Sequence, residues 1–168
     1  DGAGEDVSTT LAVGAGTDLR VLRSIPWPHS LGHFYSAMTG FLGFAMLDGE
    51  YKMMGLAPYG SPDYLPFIRQ NILLTDAPGS YRLNGDLLDY HAALKKQFHP
   101  KLLEAFGSPR LSDDAPFTER HRQIAASAQA AFEEVVGDMA SWAFQQGGKR
   151  TNVAIAGGCG LNCSANGK

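Results

Sequence analysis

The pattern of apolar and polar positions changes character three times along the chain. Residues 7–13 and 19–25 are rich in Val, Leu, Ile and Thr, with Gly14-Ala15-Gly16-Thr17-Asp18 between them, which predicts a β-hairpin. Pro26-Trp27-Pro28 forbids a regular helix until Ser30, a suitable N-cap for a helix over 31–44. There Leu31, Phe34, Met38, Phe41 and Leu42 recur at helical spacing, so one stripe faces a core. Residues 61–116 are broken by six prolines into short pieces. They predict a helix near 64–70, strands near 72–75 and 81–84, and a helix near 100–106, read together as an insertion laid over a main sheet. From Glu119 the helical period returns: Ile124, Ala128, Phe132, Val135, Met139 and Trp142 predict one long helix ending at Gly147-Gly148, with Glu133 and Glu134 on its other side. Gly137 within it is read as a point of close packing on the sheet, and His121 at its start as a solvated or capping residue. Residues 152–156 form a continuous apolar run of the kind found in buried parallel strands, and a helix should begin soon after Gly157.

Composition narrows the class. With 168 residues, 44% of them hydrophobic, the chain can bury the core of one domain or one lobe and should be globular, and its predicted strands and helices together make it α/β. A net charge of -3 and a pI near 5.9 give no sequence-independent attraction to nucleic acid or anionic membranes. No apolar run approaches the roughly 20 residues that span a bilayer, and no signal peptide opens the chain, so a cytoplasmic protein is expected. Cys159 and Cys163 suit reduced, buried thiols better than a disulfide framework. The chain opens on Asp1-Gly2-Ala3-Gly4-Glu5 without a methionine and stops at Gly167-Lys168 inside a predicted helix, and it is read as a segment truncated at both ends.

Three stretches carry candidate chemistry. In Gly49-Glu50-Tyr51-Lys52-Met53-Met54-Gly55-Leu56-Ala57-Pro58-Tyr59-Gly60, a lysine beside a glutamate and several glycines could be fitted around a ribose or a phosphate; an ordinary helix-to-loop junction has the same composition. Gly157-Gly158-Cys159-Gly160-Leu161-Asn162 joins a predicted strand to a helix start, where backbone N–H groups can approach an anion or a nucleoside. It is neither a Walker A loop nor a dinucleotide fingerprint, and a plain glycine turn explains it equally well. The opening Asp1-Gly2-x-Gly4-Glu5 could hold a metal or face phosphates, or be a simple turn. Within 61–116, Asp86, Asp89, His91, His99 and Arg110 are read as solvated side chains.

Taken in order, these stretches resemble the successive motifs of the NodU-type carbamoyltransferases, the family of nodulation and antibiotic-tailoring O-carbamoyltransferases. The resemblance runs through Asp1-Gly2-x-Gly4-Glu5 with Ser8-Thr9-Thr10, then His29-Ser30-Leu31-Gly32-x-x-Tyr35 with Leu42-Gly43-Phe44. It continues through the Lys52 stretch, Ile124-Ala125-Ala126-Ser127-x-Gln129, and Gly157-Gly158-x-x-Leu161-Asn162-Cys163-x-x-Asn166-Gly167-Lys168. It covers nearly the whole chain apart from 61–116. It implies a partial actin-like ATPase (ribonuclease H-like) fold: a segment, over 1–168, of the N-terminal nucleotide-binding domain, with 61–116 as the insertion. It also implies transfer of a carbamoyl group from carbamoyl phosphate, through a carbamoyl-adenylate made with ATP, to a hydroxyl of a sugar or other small acceptor. The segment alone is expected to be inactive.

The same resemblance assigns roles. Asp1 is expected to hold iron near the phosphates, with Mg2+ as a further candidate, and Gly2 belongs to the phosphate-side loop. His29, Ser30 and Gly32 fall at the nucleotide pocket, as do Gly49, Glu50 and Lys52. Gly157, Gly158 and Asn162 lie against the nucleoside. His29 is the nearest general base by motif, a structural histidine being the alternative. The pair His29/His33 has the spacing to bind metal from one helix face, although the true metal pair is expected upstream. Cys159-Gly160 departs from the family's usual Val-Ala, which bears on the nucleoside fit. Two other classes share these features: a nucleotide-binding enzyme of the same fold with other chemistry, such as a sugar kinase, and a non-catalytic nucleotide-binding module.

Overall fold

A computed structural model describes residues 2–88, 98–148 and 152–168. The hairpin forms as β1 (Val7–Ala15) and β2 (Asp18–Pro26), and it is longer than its apolar run suggests. Gly14 pairs with Leu19 and Ala15 with Asp18, so the turn shrinks to Gly16-Thr17, with Gly16 in the left-handed conformation (φ 63°) that such two-residue turns require. The hairpin is largely solvent-facing, and Ile25 is its one fully buried anchor among the described residues.

Ser30 caps α1 (Leu31–Phe41) by accepting a hydrogen bond from the His33 N–H at 3.1 Å. The helix stops short of the expected Phe44 because Gly43 turns left-handed (φ 80°) and directs its N–H to the Gly40 carbonyl. A side chain there would lie 3.0 Å from the Arg110 and Ser112 carbonyl oxygens. The predicted stripe is buried: Phe34, Met38, Phe41 and Leu42 have no exposed surface. The Lys52 stretch becomes α2 (Glu50–Leu56) followed by a 3-10 turn over Ala57–Tyr59, so its helical and turn readings both hold.

In 61–116 the pieces form close to expectation, as α3 (Leu65–Asn71), the antiparallel pair β3 (Leu73–Leu74) and β4 (Arg82–Leu83), and α4 (Pro100–Phe106). There is no larger sheet among the described residues for them to overlie. They pack instead into the same core as α1: Ile68, Ile72, Leu83, Leu102 and Phe106 are buried, and the Phe106 ring meets Phe41, Tyr64 and Phe67 edge-on at 5.2–5.7 Å. Tyr81 ties this part to the rest, its hydroxyl accepting from the Leu31 N–H at 3.0 Å and bonding Thr9 at 2.8 Å. Two polar residues read as merely solvated have structural roles. Arg110 is 5% exposed, donates to the carbonyls of Leu42, Ala115 and Asp113, and stacks 3.8 Å from the Phe117 ring. His99 caps α4 through Nδ1, which accepts from the Lys101 N–H. Asp86 is exposed, whereas Asp89 and His91 lie outside the described residues.

The long helix α5 (Glu119–Gln146) runs past α1, α2 and α3 and supplies the Ala125, Ala128, Phe132 and Val135 side of the core. Gly137 is not a packing point: nothing approaches within 4 Å of a side chain placed there. His121 is a capping residue as expected, but a buried one. Cys159 is half-buried and Cys163 exposed, both as free thiols, so only one of the two approaches the buried reading. The largest departure is 152–156. Its residues join no ladder among the described residues, and Val153 and Ile155 are 71% and 55% exposed. An apolar run becomes a strand only beside another strand edge, and here a groove of about 630 Å3 is lined by 152–156, by β1 and by a face of α5 (Val136, Met139, Ala140, Ala143). Beyond Gly157 come a 3-10 turn over Gly158–Leu161 and the short α6 (Cys163–Asn166). No helix among the described residues is long and apolar enough to cross a membrane.

Candidate functional site

The starts of α1 and α2, the middle of α5 and the turn before α6 converge on a cavity of about 430 Å3. Met54, Phe132 and Leu161 give it apolar walls, and Tyr35, Ser36, Glu50 and Asn162 give it polar ones. Gly2, Gly32 and Gly158 offer bare backbone. Among the described residues, its charged lining residues are Asp48 and Glu50. Glu50, in the first turn of α2, is oriented by accepting from the Ser36 hydroxyl at 2.5 Å and from the Leu47 N–H at 2.8 Å. Leu47 holds that N–H in place from a left-handed conformation (φ 67°) that non-glycine residues seldom adopt.

Behind the cavity lies a buried polar cluster. The Tyr35 hydroxyl donates to Gln129 Oε1 at 2.6 Å, and burial pushes its pKa far above the ordinary tyrosine value, so it stays a donor. Gln129 and Asn162 exchange two amide hydrogen bonds, Nε2 to Oδ1 at 2.9 Å and Nδ2 to Oε1 at 3.1 Å. Gln129 Nε2 also donates to Glu133 at 2.8 Å, and Asn162 Oδ1 accepts from the Ala165 N–H at 3.0 Å as the N-cap of α6.

Over residues 1–168, its whole length, the sequence matches the family described as carbamoyltransferase N-terminus. The chain belongs to that carbamoyltransferase family. Its relatives include an uncharacterised protein of Synechocystis sp., 43% identical over 168 residues, the nodulation protein NolO of Bradyrhizobium diazoefficiens, 39% identical over 169, and the nodulation protein NolNO of Sinorhizobium fredii, 36% identical over 169. Each match uses all of this chain but only 27%, 28% and 23% of the respective relative. The chain thus spans about a quarter of the length of the curated relatives it matches.

In this chain, five of the residues singled out from the sequence meet at the cavity: Gly2, Gly32, Glu50, Gly158 and Asn162. Gly157 opens the turn next to it in a left-handed conformation (φ 94°). Ser30 is wholly buried as the cap of α1, and Gly49 precedes α2 with its own Ala45 carbonyl and Phe44 side chain against it, so both act by placing helix starts. Lys52 is outside the lining; its ammonium pairs with Asp113 at the surface, which raises its pKa. His29 is also outside. Its Nδ1 accepts from the Leu83 N–H at 3.2 Å, so the neutral ring carries its proton on Nε2 and presents a donor there. Helix α1 begins after His29, so His29 and His33 do not share a helix face. His33 sits edge-on to Trp27 at 5.1 Å, and burial lowers its pKa. Asp1 lies outside the described residues, and no group of three His, Cys, Asp or Glu side chains suited to a metal occurs among the described ones.

Sequence reasoning assigned no role to Tyr35 or Gln129, although both letters stand in the motifs, and it put Glu133 on the outer side of α5. The Glu133 side chain is 11% exposed and bonds both Gln129 and Lys168. The signal was the spacing: Gln129 and Glu133 are four apart, on one face, alongside the buried Phe132.

Proposed function

We propose that the chain holds the nucleoside part of ATP within an O-carbamoyltransferase that moves a carbamoyl group from carbamoyl phosphate to a hydroxyl of a small acceptor. The observation that carries this is the meeting of three separate motifs, at Gly32, Glu50 and Gly158-Asn162, around one cavity whose volume of about 430 Å3 falls within the usual range for small-ligand sites. The electrostatics choose which end of the nucleotide enters. With Asp48 and Glu50 and no cation among the described lining residues, the cavity repels phosphate and suits a neutral base and a ribose whose hydroxyls donate to Glu50. Met54, Phe132 and Leu161 exclude water from the base, and the Asn162 carboxamide orients it.

Lys52, the only cation on α2, is assigned to the phosphate end. Its exposed pair with Asp113 is the kind of ion pair worth little, so it can exchange Asp113 for a phosphate at small cost. His29, outside the lining, is not assigned the part of general base, because its Nδ1 is already taken up by the Leu83 N–H. When bound, ATP supplies the activation of the carbamoyl group; the residues here bind and orient. The described residues do not make an iron or magnesium site. The fold proposed is the actin-like ATPase fold in part, supported by a hairpin and a strand-like run 152–156 flanking a groove over a long helix.

Calorimetric titration of ATP into the full-length protein tests the reading. Asn162→Ala and Glu50→Ala are each expected to weaken binding tenfold or more, and ATP should be consumed only when carbamoyl phosphate is present. Wild-type affinity in folded variants would remove the cavity from the reaction, and ATP consumption without carbamoyl phosphate would point to kinase-like chemistry.

A further inference from the structure

The polar cluster behind the cavity is unusual in how completely it is determined. Gln129 is 5% exposed and uses its full bonding capacity: Oε1 accepts from Tyr35 and Asn162, and Nε2 donates to Asn162 and Glu133. The outer anchors can act in one sense only. The Glu133 carboxylate accepts and the Ala165 N–H donates, so Gln129 must turn its nitrogen to Glu133 and Asn162 its oxygen to Ala165. Both requirements agree with the two amide bonds between Gln129 and Asn162, so neither carboxamide can flip without breaking at least two hydrogen bonds in a buried site. Asn162, 7% exposed, is also the N-cap of α6, a helix of four residues with no fully buried residue of its own that sits at the far end of the 3-10 turn that walls the cavity.

We propose that Gln129 is a positioning residue: it fixes the Asn162 carboxamide in one orientation and pins the 158–162 turn against the cavity, with Tyr35 and Glu133 as its own anchors. Gln129 does not line the cavity and acts through Asn162. The functional part of this rests on the nucleoside reading above, while the pinning of the turn does not.

The charged and titratable groups around position 129 are Glu133, the Lys168 paired with it, Tyr35 of α1, Glu50 of α2 and Cys159. Gln129→Glu keeps the acceptor for Tyr35 but sets a carboxylate beside Glu133 and Asn162 Oδ1; only on protonation does it regain a donor. In the full-length protein, ATP affinity of Gln129→Glu is expected to be tenfold or more weaker than wild type at pH 8 and to recover toward pH 6, a profile that loss of packing alone would not produce. Gln129→Leu is expected to weaken ATP binding by a similar factor, and Gln129→Leu/Asn162→Ala to bind no more weakly than Asn162→Ala alone. Additive losses, wild-type affinity in folded Gln129→Leu, or a flat pH profile in Gln129→Glu would overturn the assignment. If the wild type binds no ATP, the nucleoside reading fails by itself, and hydrogen exchange decides the rest. Faster exchange of the 163–166 amides in Gln129→Leu upholds the pinning role, and unchanged exchange refutes it.

Discussion

His121 closes the first turn of α5 from both sides: its N–H donates to the Thr118 hydroxyl at 3.4 Å and its Nδ1 accepts from the Thr118 N–H at 3.1 Å. The ring is 6% exposed, and burial, reinforced by Arg120, Arg110 and Arg122, lowers its pKa. The folded state therefore favours the neutral ring, and the unfolded chain takes up the proton at a higher pH. The stability this gives is present above the ordinary histidine pKa of about 6.5 and is lost as pH falls below it. Protonation would also convert the accepting Nδ1 into a donor facing Thr118 N–H. His121→Gln restores the Thr-x-x-Gln capping box without a titrating group. Urea unfolding at pH 7 and pH 5 should show a smaller acid loss in this variant than in wild type, and equal losses would show that His121 is not the group responsible. Arg110 teaches the same lesson differently. Burial disfavours its charge, but three backbone carbonyls and two aromatic faces replace its water, which no reading of a lone arginine between prolines could supply.

At the scale of elements, the glycines of the Gly49–Gly60 stretch divide by function. Gly55 faces open space, while Gly49 and Gly60 are pressed against the protein's own backbone. A side chain at Gly60 would overlap the Arg122 carbonyl in the first turn of α5, so the 3-10 turn after α2 can lie on α5 only with glycine there. Backbone cannot yield as a flexible side chain can, and Gly60→Ala is expected to cost about 3 kcal/mol. Thermal and urea unfolding would measure it; a loss below about 0.5 kcal/mol, the usual surface range, would mean the contact is not maintained. The close backbone approach that suggested a ligand thus serves helix packing, and that packing carries Glu50 and Met54 to the cavity. The helices themselves were readable because their cues are local: Ser30 before Leu31, Thr118 before Glu119, Pro100 at the start of α4.

At the scale of the whole molecule, the unsatisfied feature is the groove between β1 and 152–156. Among the described residues β1 pairs with β2 alone, and Val153 and Ile155 stand in solvent. A strand of about five residues, at ordinary strand and sheet spacings, fills on the order of 800 Å3, close to the groove's volume of about 630 Å3. The relatives are roughly four times the length of this chain, and under the actin-like reading one of their strands belongs in that slot. The 152–156 amides are expected to exchange at least a hundredfold more slowly in the full-length protein than in residues 1–168 alone. Equal rates would leave the apolar run without a partner and count against the fold proposed.

By itself the sequence determined what local physics can fix: where most helices start, that residues 7–26 turn back on themselves, and which stripe of the two longest helices is apolar. Periodicity and caps act over one or two turns, so they survive without knowledge of the rest. Tertiary structure decided everything that needs a neighbour. It turned a predicted buried strand into an exposed run because the adjoining edge stands a groove away, made Arg110 and His121 core residues, and drew Gly2, Gly32, Glu50, Gly158 and Asn162 from distant motifs around one cavity while leaving Lys52 outside. The reason is that burial and hydrogen bonding depend on what the chain brings alongside, and for Asn162 that partner is Gln129, 33 residues away.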